Sequence, residues 1–523
     1  MELETFLLMK IMLTLVSLGL ISILLGVFHT LILNPRRLRS KLRKQGIGGP
    51  PTSFLLGNIL DMKRAKSQVS NPSHGEEGII VHNCSSLLFP SLEQWSKQYG
   101  STFMFSLGNL QYLHINNPDV VKEISIYTSF DFGKPSHQRK LLGPLLGQGI
   151  LTSNGTTWSH QRKILAPEFT IDSVKGVMNL MAESAVTLVK SWTRQIESEG
   201  GVADIEIDEY LNRFSVDVIS RACFGNNYSK GEEIFLKLRD LQQNMTKKAV
   251  YLGLPIFRYL PTKVNRETKK LENEIQALIL NVVDERNRST CENYNDLLQI
   301  ILEGAKNSSD LSQEDANRFI IDNCKNIYLA GFETTAVSAT WILMLLASNP
   351  EWQARARAEV LEICGENPQV LPDANMVQKM KTLRMVILES LRLYPPVPMI
   401  SREAQQDLKL GDIHVPKGVQ IWTMLVTLQQ DPEIWGLDAH RFNPQRFANG
   451  VSSSCKLPHV YMPFGAGPRV CLGQNFAMAE LKILLAVLLS NFSFSLSPKY
   501  RHSPVQKLVV KPEYGVNLHI RKL

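Results

Sequence analysis

The longest unbroken apolar run lies near the N-terminus. Ile11 to Leu33 is broken only by Thr14, Ser17, Ser22, His29 and Thr30. As a helix it would be ~35 Å long, enough to cross a hydrocarbon core of about 30 Å with slight tilt. A cleaved signal peptide would have a shorter apolar region and a small-residue cleavage site, and neither is clear here. Glu2 and Glu4 precede the run with only Lys10 between, whereas Arg36, Arg37, Arg39, Lys41, Arg43 and Lys44 follow it. The positive-inside rule puts the basic cluster, and the main body behind it, in the cytosol. The pattern predicts an uncleaved anchor: residues 1–10 lumenal, 11–33 transmembrane, 34–51 a basic and Pro/Gly-rich hinge, and 52–523 a cytosolic domain. Ile47-Gly48-Gly49-Pro50-Pro51 makes the end of that hinge a stiff, extended spacer.

Beyond the spacer, residues 61–86 are polar, contain glycine and lack periodicity, which reads as a surface loop. Thr102–Leu107 and Gln111–Ile115 flank Gly108-Asn109 and predict a hairpin. From about Pro118 helical patterns dominate, with a glycine-punctuated loop over Leu141 to Gly155. Trp158 and Arg162 share one face of a helix that must end near Pro167. Residues 235–285 are helical, with an interruption around Gly253-Leu254-Pro255. Ser312-Gln313-Glu314-Asp315 is a capping box, and the helix it opens runs to about Ser348, before Asn349-Pro350.

At 523 residues, 44% hydrophobic and 20% charged, the chain can bury a large core, as one big domain or two ordinary ones. Much of the formal charge of +8 comes from the early basic cluster, so it does not argue for nucleic-acid binding. Seven cysteines without a repeated spacing look like reduced thiols rather than a disulfide framework.

One of those cysteines is set apart. Cys471 lies in Phe464-Gly465-Ala466-Gly467-Pro468-Arg469-Val470-Cys471-Leu472-Gly473, and an apolar helix follows at once. The glycines allow tight turns, and the start of the next helix and Arg469 add positive potential that favours thiolate over thiol. Zinc would want further ligands at short spacing, and there are none. Inert burial is the usual fate of a lone cysteine. Three other patterns carry candidate chemistry. Ala330-Gly331-Phe332-Glu333-Thr334-Thr335 lies in the middle of the long helix, where a glycine costs ~1 kcal/mol against alanine and so has a packing or functional reason. An acid beside an alcohol can relay protons; a helix crossing with a solvated Glu is the plainer reading. Glu389 and Arg392 form an E-x-x-R pair on an otherwise apolar helix, which suggests burial, and a buried pair needs further partners, such as Arg446. Trp158 and Arg162 read, by themselves, as an amphipathic helix with a snorkelling arginine.

The arrangement F-G-x-G-x-R-x-C-x-G resembles the haem-binding loop of the cytochrome P-450 family. W-x-x-x-R, the Gly-Thr helix, E-x-x-R and P-x-R-F fall before it in that family's order, although Gln445 stands where P-E-R-F has glutamate. The resemblance spans about residues 47–518. It implies a mainly α cytochrome P-450 fold, a helical bundle around haem with a smaller β-rich lobe, preceded by one transmembrane helix. It implies haem b (iron protoporphyrin IX) with Cys471 as axial iron ligand, an arrangement that favours O–O cleavage. Trp158, Arg162, Arg402 and Arg469 would then hold propionates, with Phe464, Ala330 and Gly331 close to the cofactor. Glu333 and Thr334 would deliver protons, and Glu389, Arg392 and Arg446 would lock the fold. Electrons would come from NADPH-cytochrome P-450 reductase at the endoplasmic reticulum membrane. The pocket would be lined by residues near 135–150, 240–260, Asn326–Thr334, Val397–Ile400 and Pro512–Val516. Asn154 to Phe169 is similar to the plant branch that modifies gibberellins and related diterpenoid or triterpenoid acids. The expected activity is therefore monooxygenation of a lipophilic terpenoid, most of all a gibberellin or ent-kaurane-type acid. Another isoprenoid, a reductase-independent haem-thiolate isomerase or dehydratase, and a non-catalytic haem protein are the alternatives.

Overall fold

The computed structural model describes residues 2–68, 80–225, 228–248, 262–288, 296–307, 312–367 and 370–523. Its N-terminal segment is one continuous helical path: Glu2–Phe28 is α-helical, His29–Leu33 forms a π turn, and Asn34–Arg43 is α-helical again. Pro35 lacks an amide donor, and the wider turn just before it lets the helix continue. Leu3–Arg43 is long and apolar enough to cross a membrane, and the large apolar side chains from Leu3 to Phe28 are exposed.

The basic stretch differs from the expected hinge. Its helix docks on the body, burying Leu38, Arg39 and Leu42. Arg39 donates to Pro50 O at 2.5 Å and to Ser106 Oγ at 3.3 Å. Burial lowers this guanidinium to about 10, and its cost is offset by bonds that tie the basic helix to the body. A charge count could not show that one of the six cations turns inward.

Residues 61–86 also differ from a plain loop. Ile59–Gln68 and Cys84–Leu88 are helices, the second capped by Asn83, whose side chain accepts from Ser86 N. Residues 69–79 lie outside the described residues. Both helices are too short to persist alone and depend on packing, so periodicity did not mark them. The loop expected over Leu141 to Gly155 likewise contains the helical turn Gly143–Leu146.

The hairpin forms as expected, with Thr102 opposite Ile115 and Leu107 opposite Leu110. It extends into a five-stranded sheet through a parallel pairing of Leu110–Ile115 with Gln420–Met424, followed by Met399–Ala404 and Phe132–Gly133. A second sheet places Asn517–Lys522 between Val202–Glu206 and Phe492–Leu496. The β-rich lobe has its own core, including Leu113, Ile115 and Ile421, beside the larger helical core.

At the centre of the helical body runs Gln313–Ser348, opened by Ser312 Oγ accepting from Asp315 N at 3.1 Å. Although 36 residues long and apolar, this helix is 78% buried over its most apolar window, so it is core rather than a second span. Ile207–Phe224 packs across it, and Gln474–Asn491 follows the cysteine loop into the same bundle. Tyr228–Lys248 and Lys263–Arg288 bracket the expected interruption, and Gly253-Leu254-Pro255 lies outside the described residues.

Candidate active site

A cavity of about 340 Å³ lies between the long helix and the cysteine loop. Asn326, Ile327, Ala330, Gly331, Thr334, Thr335 and Ser338 recur at helical spacing along one wall. Phe464, Arg469, Val470, Cys471 and Leu472 form the opposite wall. Ile150, Leu151, Val397, Met399, Ile400 and Arg402 close the sides, together with Ile219, which no sequence pattern had marked. Pro512–Val516 and the described part of 240–260 are not among its lining residues.

The cysteine loop is shaped by close backbone approach. Cys471 N donates to Phe464 O at 2.8 Å. Gly467 has φ +67°, and a Cβ there would lie 1.9 Å from Ser125 O, so a side chain cannot be accommodated without moving backbone. Cys471 is exposed to the cavity but enclosed by surrounding protein. Burial raises its thiol, and the Gly473 amide and Arg162 only partly oppose that. The loop by itself therefore does not favour thiolate as expected: desolvation outweighs the local dipoles. A bound cation of sufficient charge reverses that order, because a coordinating thiol is deprotonated outright.

Around the cavity rim, cations gather without carboxylates. Arg469 donates to Ser153 O at 3.2 and 3.1 Å and to Asn154 Oδ1 at 3.0 Å, and its guanidinium lies 4.3 Å from the Trp158 ring centre. Arg162 Nη1 donates to Val470 O at 2.8 Å. Arg402 Nη1 reaches only its neighbour's carbonyl, Ser401 O, at 3.0 Å. Lys134, which sequence reading missed, is held by reciprocal bonds between its backbone and the Asn154 amide at 2.6 and 2.9 Å. Burial, then Arg402 and Arg469, push Lys134 down to about 7; burial and Arg469 take Arg402 to about 10; burial and Arg162 take Arg469 to about 10. Among the described residues none of these four cations forms an ion pair with a carboxylate. Half-buried cations crowded beside an apolar slot suit a flat apolar group bearing anionic substituents. Haem is such a group, and the residues present fit it.

The acid and the alcohol of the long helix diverge. Thr334 faces the cavity and donates to Ala330 O at 2.7 Å. Glu333, one residue earlier, turns toward Tyr228–Lys248, where Gln242 Nε2 donates to both of its oxygens. Burial raises the Glu333 carboxyl, with Gln242 and then Lys511 pulling it back. Gly331 has a packing reason besides lining the cavity: a Cβ there would fall 2.6 Å from Ile219 Cδ1 at the crossing with Ile207–Phe224. A second buried acid was not anticipated. Glu480, on the helix after Cys471, bonds Ser215 at 3.0 Å and Thr335, and burial lifts it to about 8.

Behind the cysteine side, Glu389 and Arg392 form a fully buried two-point pair at 2.7 and 2.8 Å. Arg392 Nη1 also donates to Gln429 O and Ala439 O at 2.8 and 2.7 Å. Arg446 Nε approaches Glu389 Oε1 to 3.5 Å, while its Nη2 pairs with Asp438 at 2.5 Å. Asp438 thus supplies the carboxylate that Gln445, which is exposed, does not.

The family model described as Cytochrome P450 matches residues 79–520. Cytochrome P450 714C2 of Oryza sativa subsp. japonica is 48% identical over 504 residues, covering 95% of both chains. Cytochrome P450 714A2 of Arabidopsis thaliana is 44% identical and covers 97% of both chains. Cytochrome P450 714B3 of Zea mays is 44% identical, covering 100% of this chain and 98% of its own. A cysteine loop facing a helix across a slot rimmed by unpaired cations, inside a chain so matched, places this protein in the cytochrome P450 family of haem-dependent monooxygenases.

Proposed function

We propose that this protein is a membrane-anchored monooxygenase of a lipophilic terpenoid, most of all a gibberellin or ent-kaurane-type acid. The observation that carries this reading is the apolar lining that closes the sides of the cavity, where Ile150, Leu151, Ile219, Val397 and Ile400 suit a rigid hydrocarbon frame. The likeness of Asn154 to Phe169 to the gibberellin-modifying plant branch supports it. Bound haem supplies the activation of O2, one atom of which enters a C–H bond of the substrate. In this reading Cys471 would ligate the haem iron. Arg162, Arg402 and Arg469, with Lys134 added, neutralise the propionates, and Trp158 supports Arg469 from beneath. Thr334 presents a hydroxyl to the cavity, and Glu333 supplies protons from the side of Tyr228–Lys248. Residues 11–33 anchor the enzyme, 34–51 join it to the body, and 52–523 work on the cytosolic face of the endoplasmic reticulum beside NADPH-cytochrome P450 reductase.

Two measurements test this. Reduced protein under carbon monoxide should show the red-shifted Soret band of thiolate ligation, and an imidazole-type band would remove Cys471 from its role. Incubation of the anchored protein with reductase and NADPH should hydroxylate gibberellins or kaurenoic acid. Turnover of triterpenoid acids alone would move the assignment to that class.

A further inference from the structure

The long helix carries four polar side chains, Asp322, Asn323, Lys325 and Asn326, one to two turns before Ala330. They are 6%, 0%, 2% and 0% exposed, and most of the hydrogen bonds they make outside their own helix go to the backbone of one neighbouring strap. Gln148 N donates to Asp322 Oδ2 at 2.8 Å, Ile150 N to Asn323 Oδ1 at 3.1 Å, and Leu151 N to Asn326 Oδ1 at 2.9 Å. In return Asn326 Nδ2 donates to Leu146 O at 2.6 Å. Lys325 donates to Pro144 O at 3.4 Å and pairs with Asp322 at 2.9 Å. Two glycines allow this approach: a Cβ on Gly147, at φ +56°, would lie 2.0 Å from the Asp322 carboxylate, and one on Gly149 2.6 Å from the Asn326 amide. From the other side Gln161 Nε2 donates to Gln148 O at 2.9 Å.

The strap ends in Ile150 and Leu151, which line the cavity. Three backbone donors of the strap are thus matched one by one to three side-chain oxygens in a buried contact, where an unmatched amide is expensive. We propose that Asp322, Asn323 and Asn326 are specificity-determining positioning residues. They hold the strap so that Ile150 and Leu151 form a fixed wall, and that wall selects which face of a bulky ligand can approach the iron. The inference holds for any substrate class and does not depend on the terpenoid assignment.

The test uses the haem-loaded full chain, with hydrogen exchange over residues 144–153 and optical titration of the ferric protein with imidazole and with 4-phenylimidazole. Asn323→Ala, at a residue that does not line the cavity, should speed exchange of the strap amides about ten-fold or more, the effect of losing one buried hydrogen bond. The small azole should bind within about two-fold of the unaltered protein, whereas the bulky azole should shift by about five-fold or more, on the scale of a reshaped apolar pocket. Faster exchange with an unchanged ratio of azole affinities would overturn the proposal, and so would unchanged exchange. If Asn323→Ala does not load haem, Ile150→Ala reports on the wall while leaving every strap hydrogen bond in place, and an unchanged ratio there overturns it as well.

Discussion

Gln242, on the helix Tyr228–Lys248, donates its side-chain amide to both carboxylate oxygens of Glu333, at 2.9 and 3.0 Å. The acid proposed to supply protons is therefore held by a different element from the one that lines the cavity. Burial holds this carboxyl above the usual range, and the Gln242 bond is the larger of two restraints on that rise. Gln242→Leu removes the restraint, so the carboxyl must move further up. The alkaline limb of the pH–rate profile for NADPH-supported turnover should then shift toward higher pH, and Glu333→Gln should abolish that limb. An unshifted limb in Gln242→Leu would show that another group sets it.

Glu389→Ala should be the most damaging single change behind the cysteine. It strands Arg392, whose side chain is 0% exposed, without a carboxylate, and breaking a buried pair in this way costs about 3–5 kcal/mol. Arg446→Ala should cost less, about 1–3 kcal/mol, because its Nε stands 3.5 Å from Glu389 and its main partner, Asp438, is partly exposed. Denaturant unfolding of the haem-loaded variants checks the order, and equal losses would contradict it.

Glu480 carries a pH signature of its own. Its folded value of about 8 lies above the ordinary carboxylate value of 4.5. Between those two values the unfolded chain ionises while the folded one keeps its proton, so stability falls as pH rises across that window and levels off above about 8. The slope cannot exceed about 1.4 kcal/mol per pH unit for one group. Glu480→Gln keeps a neutral side chain that can bond Ser215 and Thr335, and should flatten the curve between pH 5 and 8, conditions set by those values. Stability measured across that range in both proteins decides it.

These tests bear on residues of unequal legibility. The cysteine loop, the long helix with its Ser312 cap and the E-x-x-R pair could be read because each is local, its meaning carried by residues within a few positions. The cation rim could be read only in part. Arg469 sits beside Cys471 in the chain, but Lys134 reaches the same cavity through the short strand Phe132–Gly133 and a hold from Asn154. Glu333 and Thr334 are adjacent in sequence and face different elements, since one residue turns a helix by about 100°. The docked basic helix escaped notice because six cations in a row look solvated, and which one is buried depends on Pro50 and Ser106.

Lys134 gives the sharpest test of the cation rim. With Arg402 and Arg469 beside it, burial takes its ammonium down to about 7, so without an anion it is half neutral near physiological pH. A propionate placed among these three cations favours the charged form and raises that value. Haem binding must then take up a proton above pH 7, and by linkage the affinity must fall as pH rises through and beyond that value. Arg402 and Arg469, lowered only to about 10, stay charged throughout and contribute no such slope. Lys134→Met should remove the pH dependence between 7 and 9 and speed haem loss to an acceptor globin by roughly five- to ten-fold, the loss of about 1–1.4 kcal/mol. Lys134→Arg should restore retention without restoring the slope, because a guanidinium does not give up its proton in this range. A pH-dependent release that survives in Lys134→Met would place the titrating group elsewhere and leave Arg162, Arg402 and Arg469 as the cations of the anion site.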